Sequence, residues 1–105
     1  MQDVVASQSV LPNSSEAHTE ADVTACFSVQ AVADPSVMPR VLELFAKRGL
    51  IPARWHSDLG GRRRDELTID LQVQGLTDSQ RDHTAAILRG MVYVTSVLVS
   101  EKRYS

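Results

Sequence analysis

Several residue types that support particular functions are scarce in this sequence. Of its 105 residues, one is cysteine and 5% are aromatic. The single cysteine, Cys26, cannot form an intrachain disulfide, which favours a reducing, cytoplasmic environment. No HxH, HxxxH or CxxC spacing occurs, and a zinc site needs three or four ligands. We therefore predict no metal site and no cofactor.

Residues 1–39 contain no lysine or arginine, and Arg40 is the first basic residue of the chain. Residues 1–22 carry four acidic side chains and too little apolar surface to offset their ordering entropy, so we predict a flexible N-terminal tail. Val4–Val5 and Val10–Leu11 could still dock transiently on the domain. The tail has no basic n-region, so we expect it not to be a signal peptide. A net charge of −2 and short apolar runs indicate no nucleic-acid partner and no membrane span.

The rest of the chain shows strand and helix patterns in turn. Apolar residues at alternate positions predict four strands, over Val23–Ala33, Ile51–Leu59, Glu66–Gln74 and Val92–Val99. Apolar residues at 3/4 spacing predict two helices, over Ser36–Arg48 and Thr77–Arg89. The order βαββαβ predicts a ferredoxin-like α+β fold, with a four-stranded antiparallel sheet and two helices on one face. The domain is predicted over residues 23–100, with 101–105 as a C-terminal tail.

Capping residues mark the helix starts. Ser36 is the predicted N-cap of the first helix, where its hydroxyl can serve only the N–H of Met38, because Pro39 has no N–H. Thr77 and Gln80 have the spacing of a capping box at the second helix. The inward face of that helix is predicted to be short: Ala85, Ala86, Ile87 and Leu88.

The second strand has the features of a sheet edge. Pro52 lacks a donor, so the strand lies at an edge or starts there, with Ile51, Ala53 and Trp55 on one face. Edge strands expose backbone groups that invite pairing. We therefore predict a homodimer, with the strand that bears Trp55 as the seam.

The link between the first strand and the first helix is the most informative stretch. The N–H groups at a helix start can bind an anion such as a carboxylate, and we expect those of Ser36, Val37 and Met38 to be free. Asp34 beside them can pair with an ammonium group. An amino acid carries both groups, but an ordinary capped turn accounts for the same spacing. The candidate ligand-binding residues are Asp34, Pro35, Ser36, Val37 and Met38.

No set of catalytic residues stands out. His18, His56 and His83 are far apart in sequence, and a pair between Cys26 and a histidine would need a proximity that the sequence does not supply. The run Arg62–Arg64 is the densest charge feature. It indicates either a solvated hairpin turn or a contact for an acidic partner or a phosphate.

The segment Asp34–Leu50 resembles the opening of an ACT domain. An acidic residue and a proline precede aliphatic residues and a helix, which ends in a basic pair and Gly49 before the second strand. The Arg-Val, Leu-Phe and Lys-Arg-Gly motifs in this helix and at its end resemble most the corresponding helix of the small regulatory subunit of acetolactate synthase. The third strand and the apolar ending of the chain also fit, so the resemblance covers about residues 24–100.

The resemblance implies a non-catalytic module that pairs edge to edge. Such modules bind small ligands, usually amino acids, between strand one, helix one and the neighbouring subunit. The small subunit of acetolactate synthase activates a thiamine-diphosphate-dependent catalytic subunit and often confers branched-chain amino-acid feedback. Two positions depart from the family pattern: Ser36 replaces a glycine, and Ala33 replaces the asparagine of valine-sensing subunits.

We therefore predict a regulatory protein rather than an enzyme, with an amino-acid effector, a catalytic subunit of the acetolactate synthase type, or both as partners. One alternative is an ACT module that serves only for homodimerisation or as a scaffold and binds no ligand. Another is a small enzyme of the same fold, such as an acylphosphatase. That chemistry needs an arginine in the loop after strand one, and here the first arginine is Arg40.

Overall fold

The predicted alternation of strands and helices is present in the computed structural model, which describes residues 23–103. The strands are β1 (Val23–Val32), β2 (Arg54–Gly60), β3 (Glu66–Gln74) and β4 (Val94–Arg103), and the helices are α1 (Val37–Lys47) and α2 (Asp78–Arg89). The strands form one antiparallel sheet in the order β2-β3-β1-β4. This confirms the ferredoxin-like fold and the edge position of β2. The predicted tail at residues 1–22 lies outside the described residues.

One face of the sheet packs against both helices and forms the core. On β1 and β3 this face carries eight buried apolar side chains: Ala25, Phe27, Val29, Ala31, Leu67, Ile69, Leu71 and Val73. From α1, Phe45 meets Phe27 edge to face, with ring centroids 6.1 Å apart. Such an arrangement stabilises an aromatic pair beyond the area it buries. This helix-covered face therefore accounts for most of the apolar burial.

The opposite face of the sheet, called here the open face, is polar. Residues that are paired across the strands share a face, so the register assigns its members. They include Cys26, Ser28, Gln30, Arg54, His56, Asp58, Thr68, Asp70, Gln72, Leu98, Ser100 and Lys102. Thr68 donates to the side chain of Gln30 at 2.9 Å. Neither α1 nor α2 has the length and hydrophobicity needed to cross a membrane.

The bounds of two strands differ from the prediction by more than one residue. β2 begins at Arg54 rather than at Ile51, which lies before the strand and is 85% exposed. Pro52 offers no donor, so pairing starts only after it. β4 begins at Val94 and continues to Arg103, whose partner is Val23. Residues 101–103 therefore belong to the sheet.

The helix ends confirm one predicted cap and correct another. The capping box is present, since the Gln80 N–H donates to the Thr77 hydroxyl at 3.0 Å and the Thr77 N–H donates to the Gln80 side chain at 2.8 Å. Gly49, with φ of 69°, follows α1 in the left-handed conformation that often ends a helix. Ser36 is the N-cap of α1, but its hydroxyl makes no capping bond to the helix. The predicted bond to Met38 is therefore wrong.

The inward face of α2 also differs from the prediction, because Thr84 is buried and Ala86 is exposed. Arg81 joins α2 to β4 by an ion pair with Glu101, and both side chains are mostly buried. Its hydrogen bonds to Asp82 and Glu101 raise the pKa of Arg81 above its usual value. Arg81 therefore stays charged throughout the physiological pH range.

Candidate functional site

The loop between β1 and α1 lies at one end of the sheet, where three connections meet. The Ala33 N–H donates to the carbonyl of Asp65 in the β2–β3 hairpin at 2.9 Å. The Val32 N–H donates to the carbonyl of Tyr93, just before β4, at 2.8 Å. The loop that holds the five predicted ligand-binding residues is therefore fixed on both sides by backbone bonds.

Asp34 organises this loop by binding the helix start itself. Its Oδ1 accepts both the N–H of Ser36, at 2.9 Å, and the hydroxyl of Ser36, at 2.7 Å. Its carbonyl accepts the N–H of Val37 at 3.1 Å. Two of the three donors that we expected to be free are thus already taken. Of these three N–H groups, that of Met38 is left without a hydrogen-bond partner among the described residues.

The same bonds set the charge of the loop. The side-chain hydrogen bond from Ser36, followed by its backbone hydrogen bond, lowers the pKa of Asp34 below its ordinary value of 3.8. Asp34 is therefore ionised at neutral pH. Its second oxygen, Oδ2, receives no hydrogen bond from the described residues. That oxygen can accept a bond from an ammonium group.

The five predicted residues occupy different environments. Val37 is 2% exposed and packs into the core with Val41 of α1, so only its backbone faces the loop. Met38 is half-buried against the core, and Pro35 is exposed. The groups that can meet a ligand are thus the carboxylate of Asp34 and the N–H of Met38.

Next to this loop is an apolar surface that the sequence analysis missed. Val32, Val92 and Tyr93 are 45%, 62% and 43% exposed. Tyr93 has φ of 76°, in the left-handed region that bulky residues rarely adopt. Sequence pattern placed Val92 in the last strand, and no glycine marks the turn, so only the fold reveals it. Strained backbone of this kind is found more often at functional sites than elsewhere.

The arginine run lies in the hairpin between β2 and β3, beside the same loop. Residues 62–64 are exposed, and the Arg64 N–H donates to the carbonyl of Gly61 at 3.2 Å. Arg64 also has a positive φ, of 56°. The hairpin interpretation of this run is therefore correct, and the acids Asp65 and Glu66 follow the run directly in the sequence.

Within residues 23–103, no three His, Cys, Asp or Glu side chains are grouped so that they could hold a metal ion. His56 lies on the open face and contacts Asp58 at 2.8 Å, and both side chains are mostly exposed. His83 is exposed on α2, far along the chain from Cys26. The described residues thus bring no histidine to the β1–α1 loop.

The fold defines the class of small α+β domains built on a ferredoxin-like sheet. The family model for the ACT-like domain matches residues 14–104, and the chain belongs to that family. ACT domains are regulatory modules that commonly dimerise and accompany catalytic enzymes. None of the curated proteins compared with the chain matches it significantly.

Solved structures of the same fold are distant in sequence. The ACT domain of GTP pyrophosphokinase from Chlorobium tepidum has a TM-score of 0.62 at 10% identity, over 73% of this chain and 96% of that one. The C-terminal domain of the MgtC protein from Mycobacterium tuberculosis has a TM-score of 0.63 at 14% identity, over 83% and 95%. The regulatory subunit of aspartate kinase from Thermus flavus has a TM-score of 0.58 at 10% identity, over 78% and 57%. At such identities the likeness establishes the fold alone.

Proposed function

We propose that this chain is a non-catalytic regulatory protein that binds a small apolar amino acid at the β1–α1 loop. The carrying observation is the loop itself: the ionised carboxylate of Asp34 offers Oδ2, and the N–H of Met38 has no partner among the described residues. The ammonium group of the ligand meets Asp34, and its carboxylate meets Met38 at the positive end of the helix dipole. The ligand would lie against the loop formed by Asp34, Pro35, Ser36, Val37 and Met38, with its polar contacts at Asp34 and Met38.

The adjacent apolar surface supports an apolar side chain on the ligand. Val32, Val92 and Tyr93 expose their side chains at the end of the sheet where the loop lies. Burial of these groups supplies binding free energy that two polar contacts at an exposed loop cannot supply alone. Valine, leucine and isoleucine are therefore the ligands to test first.

Calorimetry on a graded series of variants tests the site. Asp34→Asn removes the charge and should weaken binding about tenfold, while Ser36→Ala removes one of the two bonds that orient Asp34 and should weaken it less. Asp78→Asn is the matched control, since Asp78 is an exposed acid in the first turn of α2. Equal affinities in all four proteins would reject this site, and no heat from any amino acid would leave the scaffold alternative.

We further propose that two copies pair through the free edge of β2. β2 and β4 are the edge strands of the sheet, and Leu59 on β2 is 49% exposed on the helix side. A second copy would cover Leu59 and satisfy the free backbone groups of the edge. It would also bring new groups to the neighbourhood of the β1–α1 loop, because Leu59 and Gly60 lie at the same end of the sheet.

Sedimentation velocity with paired substitutions tests this seam. Leu59→Lys places a charge on β2 and should shift the protein to monomer. Leu98→Lys makes the same change on β4, where the leucine is 68% exposed, and should leave the dimer intact. A monomeric wild-type protein at high micromolar concentration would argue against the dimer.

The catalytic partner we propose is a thiamine-diphosphate-dependent subunit of the acetolactate synthase type, in branched-chain amino-acid biosynthesis. The support is the similarity of α1 and its flanks, Asp34–Leu50, to the small regulatory subunit of that enzyme. Adding this chain to such a catalytic subunit should raise its activity, and valine should reverse the increase. A scaffold with no ligand would co-purify with a partner without any response to amino acids.

A further inference from the structure

A cleft lies between the end of α1 and the start of α2. It has a volume of about 230 Å³ and is lined by Arg48, Leu50, Gln80, His83 and Thr84. α1 runs away from the β1–α1 loop, and α2 begins just after β3 ends, so the cleft lies at the end of the sheet opposite to that loop. It is therefore separate from the site proposed for an amino acid.

The three residues of α2 that line the cleft share one face of that helix, because positions three and four apart lie side by side. The two acids of the same turns, Asp78 and Asp82, fall on the opposite face at 3.6 residues per turn. There both carboxylates contact Arg81. Among the described residues, the cleft thus has no acidic side chain in its lining.

Arg48 supplies the positive charge of the cleft. Its backbone N–H donates to the carbonyl of Phe45 at 3.1 Å, and its Nη1 donates to the carbonyl of Leu44 at 3.4 Å. These bonds hold the side chain against the end of α1. Arg48 forms no ion pair with the acids that the structure describes. Its remaining guanidinium N–H groups are therefore available to an anion.

Gln80 contributes an amide whose orientation is fixed by the capping box. Its Oε1 accepts the N–H of Thr77 at 2.8 Å, so the other end of the amide, Nε2, is a donor. That donor makes no hydrogen bond with the described residues. Because Gln80 lines the cleft, the side chain that caps α2 can also donate to a ligand.

Thr84 adds a hydroxyl from the inner wall of the cleft. The residue is 1% exposed and lines the cleft. Its hydroxyl makes no hydrogen bond with another described residue, yet it is not among the side-chain atoms that are sealed from solvent, so it opens into the cleft. Buried polar groups usually have a partner, and an oxygen atom of a ligand would supply one.

We propose that this cleft binds a phosphate group through Arg48, Gln80, His83 and Thr84. Donors that converge from two helices suit a tetrahedral oxyanion, which offers acceptor oxygens in more directions than a carboxylate does, and arginine binds phosphate in bidentate fashion. His83 has an N–H donor in either tautomer. The start of α2 adds the positive end of its dipole. Leu50 is an apolar wall against which the organic part of a phosphomonoester can lie.

Titration of the full-length, ¹⁵N-labelled chain with inorganic phosphate tests the site, with chloride used to hold the ionic strength constant. We expect saturable changes in amide chemical shift that centre on residues 48–50 and 80–84. Acetate, which carries a planar carboxylate with one charge, should bind about tenfold more weakly than phosphate. Chloride alone should give no saturable change.

Two variants separate the donors of the cleft from charge in general. Gln80→Glu keeps the acceptor that caps α2, because glutamate also serves in a capping box, but it replaces the amide donor by a carboxylate. It should weaken phosphate binding more than about tenfold while the midpoint of thermal unfolding is retained. Arg48→Gln should weaken binding about tenfold. The matched control, Lys47→Gln, makes the same charge change at an exposed neighbour outside the cleft and should stay within about twofold.

Glycerol 3-phosphate distinguishes the two sources of a phosphate group. Tighter binding than that of inorganic phosphate would support the cleft as a site for phosphomonoesters, and equal or weaker binding would support free phosphate as its ligand. Three results would overturn the proposal. They are shifts that do not saturate, shifts that chloride reproduces, and a phosphate affinity that is the same in the wild type, Gln80→Glu and Arg48→Gln.

Discussion

The two faces of the sheet are built from the same strands but differ in how much they contribute to stability. On β1, Phe27 is 1% exposed on the helix-covered face, while Ser28, the next residue, lies half-exposed on the open face. Apolar burial is the main favourable contribution to folding, so stability resides on the first face. The second face is left polar and concave, and its composition can vary with little effect on stability. Neighbouring residues on one strand therefore make matched pairs for experiment.

The largest contrast should come from Phe27→Ala against Ser28→Ala. Loss of the buried ring leaves a cavity beside Phe45 and should lower the free energy of unfolding by about 3–5 kcal/mol. The serine change should stay within about 0.5 kcal/mol. Urea denaturation of both variants measures the difference. Similar losses in the two variants would mean that the open face also carries stability.

A smaller contrast is expected between Glu101 and Lys102 on β4. Glu101→Gln removes the charge that pairs with the mostly buried Arg81 and should lower the midpoint of thermal unfolding. Lys102→Gln, on the open face, should leave that midpoint unchanged. Scanning calorimetry of the two variants decides this, and an unchanged midpoint for Glu101→Gln would show that this ion pair does not help to hold α2 to β4.

Two substitutions that relieve backbone strain should have the same effect on stability but different effects on ligand binding. Tyr93→Gly and Arg64→Gly each replace a residue in the left-handed region and should stabilise the protein by about 0.5–1 kcal/mol. Only Tyr93→Gly should also weaken amino-acid binding, because Tyr93 contributes to the apolar surface beside the β1–α1 loop. Thermal unfolding with and without valine compares the two. Equal ligand-induced stabilisation in both variants would place Tyr93 outside the site.

The smallest effect should be the acid sensitivity of the β1–α1 loop. The lowered pKa of Asp34 means that its ionised form is favoured in the folded state, so its contribution is complete well above 3.8 and is lost as pH falls through the lowered value. Asp34→Asn should remove this part of the acid dependence, so the wild-type protein should be slightly the more stable near neutral pH and the two stabilities should converge as pH falls through the lowered pKa. Urea unfolding at a series of pH values measures it, and parallel curves for the two proteins would contradict the assignment.

Much of the fold could be predicted from local sequence patterns. The alternation of β3 predicted its bounds without error, and the Thr77–Gln80 capping box is present as expected. The wrong strand bounds lie where pairing with another strand, and not the local sequence pattern, decides whether a residue belongs to the sheet. Ile51 fits the apolar alternation of a strand, but it pairs with no strand and is exposed. Residues 101–103 have the composition of a charged tail, but they pair with β1. Pairing across a sheet is non-local, so no local pattern can indicate it.

By itself the sequence determined the order of elements, the edge position of β2 and the acidic, lysine-free start of the chain, since these depend on residue type and spacing. Only the tertiary structure decided that Asp34 occupies the helix-start donors, because that depends on where a loop folds back. It also decided that Tyr93 lies beside that loop and that Arg48 and Gln80 line one cleft. Such groupings join residues from separate elements, and their geometry exists only once the chain has folded.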